Sequence, residues 1–145
     1  MIFVDTNVFV SAFGRRAIDR DMFEERSARD LLGRLALGLT SASTSEAILV
    51  EATQILTSDR LNGWSVPDVA AFLADAVKAP GLRIAPKIIY LRALDVWTSR
   101  PGLGFVDCLT LAYVEQDDVE LASFDRQLLR SPGVTPYWRE PDATL

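Results

Sequence analysis

Short apolar runs alternate along the chain with longer stretches in which apolar residues recur at helical spacing. Met1-Ile2-Phe3-Val4 opens as a strand and ends at Asp5. A turn or short helix follows to Phe13, and then a polar, Arg-rich stretch from Gly14 to Arg20. Leu31, Leu32 and Leu35 fall at helical spacing within a helix predicted from about Phe23 to Leu37 and stopped by Gly38. Leu39 to Ala42 reads as a second strand. Ser43-Thr44-Ser45-Glu46 has the Ser-x-x-Glu pattern of a capping box and announces a helix to about Leu56. Ser65-Val66-Pro67-Asp68 repeats that signal, with Pro near the first helical position, ahead of a helix to about Lys78. A third strand is expected over Leu82 to Ala85, then helices from Pro86 to about Trp97 and from Phe105 to about Glu115. A strand over Glu120 to Ser123, a short helix from Arg126 to Leu129 and a strand near Val134 to Trp138 complete the series. Strands alternating with helices predict one α/β domain over residues 1–145, layered around a mainly parallel sheet.

Four carboxylates interrupt this pattern where an acidic side chain is out of place. Asp5 and Asp125 each follow a strand-like run, and ligands bind an open parallel sheet in the crevice at the carboxyl ends of its strands. Glu51 has Ile48 at i−3 and Ile55 at i+4, which places it on or beside an apolar stripe. Its neighbour Glu46 lies roughly 140° away around the same helix, and capping accounts for it. Asp107 falls in a helical first turn, where the helix dipole already favours an acid, but Leu111 and Val114 at i+4 and i+7 align it with an apolar face. Asp125 also suits an N-cap, and Asp5 could bond to the amides of its own turn, with Thr6 and Asn7 as turn formers. The acidic run of Glu115, Asp117, Asp118 and Glu120 reads as a solvated helix end. Four converging carboxylates would need a cation to persist.

Composition narrows the chemistry. Hydrophobic residues make up 49% of the chain and charged residues 24%, as in ordinary globular domains. Histidine is absent and Cys108 is the lone cysteine, which removes imidazole catalysis and makes zinc a poor fit. Carboxylate oxygens without His or Cys select Mg²⁺ or Mn²⁺. An ion held there can lower the pKa of a bound water. The single cysteine suits a reducing compartment, and no stretch has the length of a membrane span or the layout of a signal peptide, so a cytoplasmic location is expected. The net charge of −5 argues against a general polyanion-binding surface. A local patch remains open: all basic residues except Lys78 and Lys87 are Arg, and Arg15, Arg16 and Arg126 lie near two of the acids in sequence, where they could grip phosphates.

The segments Ile2-Phe3-Val4-Asp5-Thr6-Asn7-Val8, Thr44-Ser45-Glu46-Ala47-Ile48-Leu49-Val50-Glu51, Phe105-Val106-Asp107-Cys108-Leu109 and Leu121-Ala122-Ser123-Phe124-Asp125-Arg126 resemble, in order and spacing, the PIN-domain nucleases. Among these the chain looks most like the short bacterial group that includes VapC-type toxins. The resemblance implies a three-layer α/β/α sandwich and a Mg²⁺- or Mn²⁺-dependent endoribonuclease site. It maps the family's acidic quartet onto Asp5, Glu51, Asp107 and Asp125, with Asn7 and Ser123 as supporting polar residues. It further implies an RNA substrate, a homodimer and a small antitoxin partner whose tail covers the acidic groove. The segment from Asp59 to Gly104 carries no matching motif, so substrate choice stays open. Two rival functions are a non-catalytic binding module on the same fold and a small phosphatase with Asp5 as nucleophile. The phosphatase wants a second Asp where this chain has Asn7.

Overall fold

The computed structural model describes residues 2–15, 21–84, 86–122 and 125–136. Strand β1 (Ile2–Phe3) leads into helices α1 (Thr6–Phe13) and α2 (Met22–Ala36). Strand β2 (Ala42–Ser43) is followed by α3 (Glu46–Thr57) and α4 (Val66–Lys78), and β3 (Leu82–Arg83) by α5 (Lys87–Ser99), α6 (Phe105–Asp117) and the short α7 (Arg126–Leu129). The sheet is parallel in the order β1-β2-β3, with Ile2 beside Ala42 beside Leu82 and Phe3 beside Ser43 beside Arg83. Parallel neighbours require crossover connections, and the helical pairs α1–α2 and α3–α4 supply them. The result is the expected α/β architecture.

Helical periodicity foretold the helices because each buries one face. Phe9, Leu49, Leu56, Leu73, Val77 and Leu82 are among the buried side chains of a continuous core. Removing each such side chain from water contributes roughly 1.5–3 kcal/mol. The Asp21 side chain caps α2 by accepting from the amides of Phe23 and Glu24. Helix α2 is fastened to α1 by Arg29, whose Nε donates to the Ala12 carbonyl at 2.9 Å while Nη1 pairs with the buried Glu25 at 2.8 Å. Gly38 ends the α2 region with φ of 69°, the left-handed conformation that suits glycine after a helix. Gly81 has a different cause. A Cβ there would stand 2.3 Å from the Thr40 carbonyl oxygen and 2.9 Å from that of Leu35, so the chain entering β3 presses backbone against backbone.

Three expectations are corrected. The capping box at Ser43 does not form: Ser43 is paired in β2 between Phe3 and Arg83, and the N-cap of α3 is Ser45, with no side-chain cap bond. The strands are shorter than the apolar runs suggested, and Leu39 is two-thirds exposed outside β2. The segments around Glu120 and Val134 form no regular strands among the described residues. One parallel bridge joins Leu121 to Pro136, with the Leu121 amide donating to the Thr135 carbonyl at 2.8 Å. Pro136 has no N–H with which to extend that ladder. Ser123 and Trp138, the predicted ends of those strands, lie outside the described residues.

Candidate active site

The best-anchored part of the site begins at the carboxyl end of β1. Val4 is fully buried; its amide donates to the Ser43 carbonyl at 2.8 Å, and its carbonyl accepts the Thr44 hydroxyl at 2.9 Å. These bonds hold the backbone just before Asp5. Asp5 itself is exposed and is the N-cap of α1, with Oδ1 accepting from the Thr6 amide at 2.8 Å. The side chain of Thr6 is buried, and its hydroxyl donates to Glu51 Oε2 at 2.8 Å. One residue therefore holds two of the predicted carboxylates, one through its amide and the other through its hydroxyl. Sequence reasoning left Thr6 as a turn former. A usable signal was its place on the stripe of Thr6, Phe9, Val10 and Phe13, which marks an inward-facing hydroxyl.

Glu51 is exposed on α3, between the half-buried Ile48 and Ile55, at the edge of the stripe as its spacing predicted. It shares a shallow cleft with Glu46, Val50 and Gln54. With no capping box, Glu46 has another setting: its charge lies near the buried Tyr90. Burial above all, then the hydrogen bond to Tyr113 and the Glu46 charge, push the Tyr90 hydroxyl well above its ordinary pKa.

Asp107 is half-buried in the first turn of α6 and faces a second cleft, which shares Val50 and Gln54 with the first. It is thus brought to the α3 ridge that carries Glu51. Burial, followed by the Asp107 charge, raises the adjacent Cys108 thiol to about 11, so this buried cysteine is no nucleophile at neutral pH. Asp125 is exposed and caps α7, accepting from the Leu128 amide at 3.1 Å, so the hydrogen bond described for it is local. Asn7 is exposed in the first turn of α1, beside Asp5. Ser123 and Arg16 lie outside the described residues. Arg15 follows the far end of α1, roughly 12 Å of helix from Asp5, with Nε donating to the Ser11 hydroxyl at 3.4 Å. Arg126 is exposed beside Asp125.

A PIN domain family model matches residues 2–133, and the chain belongs to that family. No curated protein matches it. PIN-domain proteins are in general nucleases that act on nucleic acids with a divalent metal, typically Mg²⁺ or Mn²⁺. The chemistry of the donor set suits such an ion: every predicted ligand is a hard carboxylate oxygen, and among the described residues Asp5, Glu51 and Asp107 form no ion pair. The side chains are not gathered tightly. Among the described residues no group of three or more Asp, Glu or Cys stands close enough to hold one ion. No helix there is long and apolar enough to cross a membrane.

Proposed function

We propose that the protein is a Mg²⁺- or Mn²⁺-dependent endoribonuclease that hydrolyses RNA phosphodiester bonds. The observation that carries this reading is the double anchoring by Thr6, which brings Asp5 and Glu51 to one place at the carboxyl end of the sheet. In each carboxylate one oxygen accepts a hydrogen bond from Thr6, which leaves the other oxygen to serve as the ligand atom. The proposed ligand set adds Asp107 of α6 and Asp125, the N-cap of α7. A bound ion of this kind supplies Lewis-acid polarisation of the scissile phosphate and acidifies an attacking water. In this reading Asn7 and Ser123 support the ligands, and some of Arg15, Arg16 and Arg126 grip phosphates beside the metal. The proposed setting is a cytoplasmic toxin, dimeric and restrained by a small antitoxin.

The test is incubation of wild type and Asp5→Asn with mixed RNA in saturating Mg²⁺ or Mn²⁺, read by sequencing of new 5′-phosphate ends. Wild type should cut and the variant should not. A wild-type protein that cuts no RNA with either metal would sink the enzyme reading. The toxin role stands or falls separately, on whether induction in cells arrests growth in an Asp5-dependent way. One observation favours the second reading, a PIN-fold binding module without turnover: the described carboxylates do not form a three-ligand cluster. RNA binding unaffected by metal, with no new 5′ ends, would favour that module.

A further inference from the structure

We infer that the cleft between α3 and the turn before α6 is a nucleobase subsite, and that Gln54 reads the base. This rests on the proposed action on RNA. The cleft encloses about 370 Å³, at the low end of the range for small-ligand sites. Its accessible apolar lining is Pro101 and Val106, both exposed and backed by the buried Trp97 and Leu103, and Asp107 borders it. Gln54 stands one turn beyond Glu51 on α3 and lines both this cleft and the one that holds Glu51. A strand with its phosphate at the carboxylates can therefore place the adjoining base here.

The polar inventory singles out Gln54. The Trp97 indole N–H donates to the Leu103 carbonyl at 3.1 Å, leaving only carbon to the cleft. The Thr53 hydroxyl donates to the Val50 carbonyl and the Thr57 hydroxyl to the Thr53 carbonyl, so both protons are used within α3. Gln54 is exposed and its side-chain amide makes no hydrogen bond among the described residues, so it keeps a donor and an acceptor side by side. Such an amide pairs bidentately with a base edge, while the apolar wall takes the ring face.

The experiment measures equilibrium binding of oligo(A), oligo(C) and oligo(U) of equal length, in EDTA, to wild type and Gln54→Ala. Alanine suits an exposed helical position, so folding is not at risk. The affinities of wild type should differ among the three by about tenfold or more, and Gln54→Ala should bring them within about twofold. Equal ratios in the two proteins, or a wild type that binds the three alike or binds none of them, would overturn the subsite. Because no metal is present, the outcome is independent of cleavage. Selective binding by a protein that cuts no RNA would defeat the nuclease reading and leave the subsite standing.

Discussion

At the scale of single residues, the site depends on Thr6. Thr6→Val keeps the shape and removes the hydroxyl, leaving Glu51 without its anchor; a hydrogen bond to a charged carboxylate contributes about 1.5 kcal/mol at an exposed position such as this. Urea denaturation should show a loss of that order, and metal titration a weaker site. Asp5→Asn has a different signature. Asn caps a helix about as well as Asp, so the bond to the Thr6 amide survives and only the charge is lost. Cleavage should vanish with the circular dichroism spectrum intact, whereas a variant cutting at the wild-type rate would remove Asp5 from the mechanism. Glu51→Gln and Glu46→Gln divide the two acids of α3. The first should lose activity and metal affinity, and the second should change metal affinity by less than about twofold, because Glu46 lies toward Tyr90 and makes no bond to Thr6. The reverse result would move the ligand role to Glu46.

At the scale of elements, the tightest constraint is the entry to β3. Gly81 donates to the Leu35 carbonyl at 3.0 Å and accepts from the Ala42 amide at 2.9 Å, tying the end of α2 to β2. Gly81→Ala would drive a methyl into the Thr40 and Leu35 carbonyls, a clash that backbone cannot relieve by changing rotamer. A loss of roughly 3 kcal/mol is expected from thermal melting, and a loss below about 0.5 kcal/mol would mean that the turn can shift. No pattern in the sequence announces this contact, since it joins residues far apart in the chain. The helices were legible because 12 or more residues of α3, α4, α5 and α6 repeat a buried face. Strands of two residues carry too little alternation to fix their ends, and so Ser43 passed for a cap while it was paired in the sheet. The site was legible in part for the same reason. Asp5 and Glu51 broke local patterns, but the tie between them through Thr6 spans 45 positions and appears only in three dimensions.

At the scale of the whole molecule, the acidic groups tie stability to metal. Asp5, at the start of α1, and Asp107, in α6, come to the helix α3 that carries Glu51, without an ion pair among the described residues, so folding brings negative charges closer than the unfolded chain holds them. Mg²⁺ or Mn²⁺ that binds this arrangement favours the folded state by mass action, by about 2.7 kcal/mol at a hundredfold excess over Kd. For a chain of this length that corresponds to a rise in Tm of roughly 8 °C. The rise should appear for wild type in Mn²⁺ and vanish in the Asp5→Asn, Asp107→Asn double variant. The acidic segment from Glu115 to Glu120 is the natural competitor, but Glu115 is already engaged by Arg92 at 2.7 Å, which lowers its charge toward a cation. Calorimetry in which both proteins gain the same Tm would place the ion at that segment or elsewhere on the surface, and would take the metal away from Asp5 and Asp107.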